Sequence, residues 1–184
     1  MSSITVNTIE PVGSTLTVGS ATDTVTVPTG ATISGAISMV PAFEARITTE
    51  QNPSGGTDTL INFDSEVFDT NSAYDVSAKR FTVPSGLGGK YHLYCNLTVG
   101  SSANSGLAQC QAYVYKNGSK TTTRALTNTN NDGNGRYYGL NLSTSIVLSA
   151  GDYIEIYGRG DVDSGTIEVR TDESIFGMYR MIGV

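Results

Sequence analysis

The sequence has no tryptophan, one histidine, two cysteines and five prolines. Lys and Arg together number only 11 against 17 Asp and Glu, which leaves a net charge of −6. Each shortage excludes something. A net-acidic chain with so few cations has no basic footprint for nucleic acid. One His and two Cys cannot build a zinc site of the usual composition without carboxylate ligands, and no cofactor is expected. Imidazole chemistry would rest on His92 alone. That residue falls mid-strand with no Ser or Cys nucleophile beside it, so an interface or surface role suits it better than general-base catalysis. No run approaches the roughly 18 apolar residues of a membrane span, so no membrane insertion is expected. The opening Met1-Ser2-Ser3-Ile4-Thr5 has neither the charged start nor the apolar stretch of a secretory signal.

The chain is rich instead in small and β-branched residues: 21 Gly, 24 Thr and 20 Ser in 184. Charged residues make up 15%, below the roughly 25% of an average soluble protein. Long helices need charged solvent faces and strong helix formers, and few stretches supply them. The balance is that of an all-β chain with many turns.

Composition shifts near residue 40. Residues 1–39 hold nine Thr and no Lys, Arg or aromatic residue. Short alternating runs, Ile4-Thr5-Val6, Leu16-Thr17-Val18 and Val25-Thr26-Val27, are broken by Gly13, Gly19 and the turn Pro28-Thr29-Gly30. So short a segment without aromatic side chains cannot offset an ordering cost of roughly 1–2 kcal/mol per residue by itself. Its β-branched, weakly charged composition favours ordering by other chains, as intertwined strands or a docked segment, over disorder.

All fifteen Tyr and Phe lie beyond residue 40. Strands are expected over 41–48, 59–68, 79–83, 90–99, 108–116, 121–127, 137–148, 152–158, 165–170 and 174–183. The turns between them include Pro84-Ser85-Gly86, Asn117-Gly118 and Asp163-Ser164-Gly165. Asn117-Gly118 is the clearest hairpin, because both central positions need positive φ. About ten short strands without a helix predict a β-sandwich. Alternation assigns the faces. Tyr91, Leu93, Cys95, Leu97 and Val99 fall on one side, and His92, Tyr94, Asn96 and Thr98 on the other. Likewise Ile154 and Ile156 oppose Tyr153, Glu155 and Tyr157. Cys95 and Cys110 both sit in apolar alternations and are expected in the core.

The spacing of Phe63, Asp69, Tyr74 and Phe81, followed by Gly89-x-Tyr91, resembles the globular head of complement proteins (the C-one-q type) and the wider tumour-necrosis-factor-like jelly rolls. Leu93 stands where that pattern has Phe, Cys95 stands where it has an aromatic, and Gly89 comes two residues late. Tyr113 to Gly118, Val147 to Asp152 and Ile175-Phe176-Gly177-Met178 resemble the family in the same order. The resemblance covers about 40–184. It implies a jelly-roll knob that forms a homotrimer on a stalk or anchor. With the placement of the non-core tyrosines, it sets Tyr94, Tyr153, Tyr157 and Tyr179 near the threefold axis. Residues 1–39 resemble the N-terminal segments of bacteriophage fibres and other virion appendages. Together the two resemblances imply a viral structural protein, made in the host cytoplasm and carried on the virion. Residues 1–39 would attach to other virion proteins, and the knob would bind host-surface glycan. In a reducing cytoplasm two free thiols are favoured over a disulfide between Cys95 and Cys110.

Several local motifs invite sharper readings. The polar run 127–136 offers Asn130, Asn131, Asn134 and Arg136 as a candidate receptor loop, because amides donate and accept toward sugar hydroxyls. Residues 101–106 are a second candidate. Asp161-Val162-Asp163-Ser164-Gly165, with Asp172 and Glu173, has the look of a cation loop, but it lacks the later ligands of a known calcium motif and reads better as a solvated hairpin tip. Arg159-Gly160-Asp161 matches an adhesion tripeptide common by chance in turns. Two alternatives to an adhesion knob stand beside it. One is a decoration protein that stabilises the particle. The other is a polysaccharide depolymerase using Glu155, Asp161 and Glu168, which would need paired carboxylates in one groove. A non-enzymatic knob is the leading expectation.

Overall fold

The computed structural model describes residues 40–128, 135–171 and 173–181. Among the described residues the chain forms twelve strands and no helix. They are β1 (Ala42–Arg46), β2 (Thr59–Leu60), β3 (Ser65–Asp69), β4 (Tyr74–Asp75), β5 (Arg80–Thr82), β6 (Gly89–Ser101), β7 (Leu107–Lys116), β8 (Ser119–Asn128), β9 (Tyr137–Leu148), β10 (Tyr153–Val162), β11 (Ile167–Val169) and β12 (Ile175–Arg180).

The strands make two antiparallel sheets packed as a jelly-roll sandwich. In sheet A, β9 pairs with one side of β6 along its length. β12 and β11 share the other side of β6 end to end, β1 follows β12, and β3 follows β1. In sheet B the order is β4-β5-β10-β7-β8, with β2 also on β10. Period-two alternation points one face of each sheet inward. Tyr91, Leu93, Cys95, Leu97 and Val99 from sheet A are buried, as are Ile154 and Ile156 from sheet B.

The core is built on the aromatic residues whose spacing marked the family pattern. Phe43 stacks on Tyr74 at 4.8 Å and on Phe81 at 5.1 Å, and meets the edge of Phe176 at 4.9 Å. Such pairs add about 0.5–1.5 kcal/mol each beyond the area they bury. Tyr74 is buried with its hydroxyl satisfied, donating to the Phe63 carbonyl at 3.0 Å. Cys95 and Cys110 are buried as free thiols, one on each sheet. Burial pushes both up, Cys110 to about 12.

The Asn117-Gly118 hairpin forms as expected, with φ of 52° and 73°. Its neighbour Asp152 accepts from Asn117 Nδ2 at 2.7 Å, Lys116 Nζ at 2.8 Å and the Ser149 N–H at 2.8 Å. These donors hold the Asp152 carboxyl down at about 2.

The single strand expected over 59–68 is instead two. β2 joins sheet B and β3 joins sheet A, and the chain crosses between them with Ile61 and Phe63 turned into the core. Asp64 fixes the crossing by accepting the N–H groups of Thr48 and Thr49. The short β4 is the other addition to the expected set.

Candidate functional site

The outer face of sheet A carries the most distinctive surface. Register places Ser143, Tyr94, Gly177, Glu44 and Phe68 in one row across β9, β6, β12, β1 and β3. Gly177 has no side chain, so the Tyr94 ring lies flat across β12. A Cβ at Gly177 would stand 2.3 Å from that ring. The hydroxyl reaches over the strand and donates to Glu44 Oε2 at 2.7 Å. Burial first, and then the Glu44 carboxylate, push the Tyr94 hydroxyl well above its ordinary value.

The device occurs twice on this face. Tyr137 of β9, Gly100 of β6 and Glu168 of β11 form a second row. A Cβ at Gly100 would collide with the Tyr137 ring. The Tyr137 hydroxyl donates to Glu168 Oε2 at 2.8 Å. The Arg136 and Arg170 guanidiniums lie 4.9 and 5.0 Å from the ring centre. Both devices lay an aromatic ring down on the sheet and make the face smooth.

Beside the first row, Tyr179 pairs with His92 on one side and Ala42 on the other. The His92 and Tyr179 rings are 5.3 Å apart. Ala42, Phe68, Tyr94, Met178 and Tyr179 line a shallow apolar hollow of about 330 Å³. Phe68 is 45% exposed and Tyr179 36%. Among the described residues no charged side chain lines it.

The four tyrosines expected at one axis separate into two pairs. Tyr94 and Tyr179 share the outer face of sheet A, but β10 belongs to sheet B, so Tyr153 and Tyr157 point out on the opposite side of the sandwich. Tyr157 stacks on Tyr115 at 3.9 Å, and Arg80 lies over Tyr153 at 4.4 Å. Tyr115 donates to Asp58 at 2.8 Å, and Asp58 pairs with Lys120 at 2.7 Å. Burial opposes the charge on Asp58, but the hydrogen bonds from Lys120 and Tyr115 outweigh it and hold the carboxyl low.

The three carboxylates of the depolymerase alternative do not assemble. Glu168 is on the face of sheet A, held by Tyr137, while Glu155 and Asp161 are on β10 in sheet B. Six residues along one strand is about 20 Å. A glycosidase pair needs about 5–9.5 Å. Glu155 is 8% exposed, and burial, opposed by Arg80, pushes it up.

Asn130, Asn131 and Asn134 of the expected receptor loop, and Asp172 of the cation loop, lie outside the described residues, as do residues 1–39. Arg136 is exposed at the start of β9, with Nε donating to the Ser101 carbonyl at 3.3 Å. The second candidate loop is tied to the 163–166 turn, with Ser102, Asn104 and Ser105 exposed. Ser101 Oγ donates to the Ser164 carbonyl at 2.7 Å, Ser102 Oγ accepts the Thr166 N–H, and Asp163 N–H donates to the Gly106 carbonyl. Arg159-Gly160-Asp161 runs within β10 rather than on a turn. Gly160 is pressed against Ile167, and Arg159 reaches Asp161 at 3.7 Å.

The fold is that of the complement globular heads and tumour-necrosis-factor jelly rolls. The globular domain of a zebrafish complement 1qA protein superposes with a TM-score of 0.56 at 10% identity, over 78% of this chain and 99% of that one. Murine APRIL superposes at 0.54 with 12% identity, over 76% and 98%. The Eiger tumour necrosis factor of S. frugiperda superposes at 0.53 with 10% identity, over 78% and 93%. No protein-family model and no curated protein matches the sequence.

Proposed function

We propose that the chain is the knob-bearing subunit of a homotrimeric structural or binding protein, with the outer face of sheet A as its self-association surface. One observation carries this reading: Tyr94 is laid flat over Gly177 at the wall of an apolar hollow that also takes in exposed Phe68 and Tyr179. Flat aromatic surface with few charges at its centre is the composition of protein–protein interfaces. In this reading Tyr94 and Tyr179 are interface residues, and Tyr153 and Tyr157, on the other sheet, are not.

The setting in which such a trimer would work follows from residues 1–39, whose resemblance to virion appendage segments supports a phage fibre or head appendage. In this reading residues 1–39 join the virion, the knob faces outward, and the loop carrying Asn130, Asn131, Asn134 and Arg136 meets host glycan. The work is attachment, and the scattered carboxylates of the knob favour that over hydrolysis.

The test of the surface is Phe68→Glu with Tyr179→Glu in the full chain. The expected result is a folded monomer by sedimentation and circular dichroism. A double variant that keeps the oligomeric state of the wild type rejects this face. The test of attachment is Asn130→Ala with Asn131→Ala and Asn134→Ala. Particles carrying the triple variant adsorb less well to host cells while the melting temperature stays the same, because substitutions outside a packed core usually move stability by under about 0.5 kcal/mol. Unchanged adsorption, together with particles that lose heat resistance when the whole protein is deleted, transfers the function to capsid decoration.

A further inference from the structure

A second hollow opens on the outer face of sheet B, on the opposite sheet from the proposed interface. It measures about 360 Å³ and is lined by Tyr113, Lys120, Thr121, Thr122 and Arg124. A bulge in the β7–β8 ladder creates it. Tyr113 pairs with Arg124 and Tyr115 with Lys120, so the three threonines 121–123 stand opposite the single residue Val114. Thr121 holds the bulge shut from within. Its Oγ1 donates to the Val114 carbonyl at 2.8 Å and accepts the Thr123 N–H at 3.2 Å. Thr122 is thereby turned outward and is exposed.

The floor is rigid. Tyr113 is 5% exposed and its hydroxyl donates to Gln111 Oε1. Lys120 lies 3.4 Å over that ring and is already paired with Asp58 at 2.7 Å. Arg124 is different. It is exposed, and among the described residues no carboxylate lies within ion-pair distance of it. The site therefore offers one unspent guanidinium fork and one free hydroxyl, set on paired strands rather than on a loop.

We infer that this hollow binds the carboxylated sugar unit of an acidic glycan, with Arg124 taking the carboxylate and Thr122 a ring hydroxyl. A guanidinium matches a carboxylate with two parallel hydrogen bonds, which a point charge does not. Its volume lies at the low end for ligand sites, which suits one sugar unit rather than a longer segment. Recognition through one acidic unit rather than through a run of charges is expected, because the chain is net −6 and Lys120 is neutralised by Asp58. A base or other flat aromatic ligand is disfavoured too, since Lys120 already covers the Tyr113 ring.

The experiment titrates the full ¹⁵N-labelled chain with trigalacturonate, neutral galactotriose and inorganic phosphate, following the amides of Thr122 and Arg124. Trigalacturonate is expected to shift both amides saturably, with at least tenfold higher affinity than galactotriose. Arg124→Ala weakens it at least tenfold with the melting temperature unchanged, and Thr122→Val about threefold. The triple asparagine variant binds as the wild type does, which separates this site from the proposed receptor loop. No saturable shift, equal affinity for the neutral sugar, full competition by phosphate at equal concentration, or insensitivity to Arg124→Ala each overturns the inference.

Discussion

Replacing Gly177 with Ala should damage the sheet A face through Tyr94. The added Cβ would stand 2.3 Å from Tyr94 Cζ, 2.4 Å from its hydroxyl oxygen and 2.8 Å from Cε1. β12 cannot retreat, because it is paired with β6 on one side and β1 on the other. The ring must therefore lift. Lifting breaks the hydrogen bond to Glu44, and a bond to a charged acceptor is worth about 1.5–3 kcal/mol. Forcing extra methyl groups into a packed site costs about 1–3 kcal/mol. The two overlap, because lifting the ring is what relieves the crowding, so the expected loss is about 2–3 kcal/mol. The control is Tyr94→Ala. With the ring gone, the three atoms nearest the new methyl go with it, and Gly177→Ala should then change stability by under about 0.5 kcal/mol. Urea unfolding of the four full-length chains at one protomer concentration measures the coupling, since association feeds into apparent stability. A Gly177→Ala chain as stable as the wild type, or one that loses the same amount with and without Tyr94, refutes the role assigned to the glycine.

Three further outcomes follow from the same structure. Asp152 has its carboxyl lowered from 3.8 to about 2, so its contribution is complete above about pH 4 and is lost as pH falls toward 2. Asp152→Asn should lower stability at pH 7 and flatten that acid limb, and a variant with the wild-type acid profile rejects the assignment. Cys95 and Cys110, both buried with raised thiols, should resist iodoacetamide in the native chain and react in urea; fast native alkylation contradicts their placement. Deleting residues 1–39 should leave a knob that unfolds cooperatively, because the aromatic cluster begins at Phe43. A truncated chain without near-ultraviolet circular dichroism puts the seam in the wrong place.

The core was legible in the sequence because it depends on local alternation and on aromatic spacing. Tyr91 through Val99 and Ile154 with Ile156 point inward as period two requires. Alternation, however, orients a strand only within its own sheet. It could not tell that β10 pairs with β7 while β6 pairs with β12, which is why Tyr153 and Tyr157 part from Tyr94 and Tyr179. The same limit hid the crossing at 61–64, where Ile61 and Phe63 alternate inward just as they would in one continuous strand. Gly100 and Gly177 each lie inside a strand. Their use emerges only from register, which sets a tyrosine on one side of each and a glutamate on the other. A glycine inside a strand is itself a signal of close approach, though the partner is not readable without the pairing. The Thr121–Thr123 bulge was read as a plain strand, since three threonines in a row favour extended backbone.

The central claim is that the smooth aromatic face of sheet A joins copies of this chain. Sedimentation velocity of the full-length protein at micromolar concentration tests it most directly. One species of three times the 19.3 kDa chain mass is expected, which Phe68→Glu with Tyr179→Glu converts to folded monomer. A wild-type chain that sediments as a stable monomer at that concentration contradicts it.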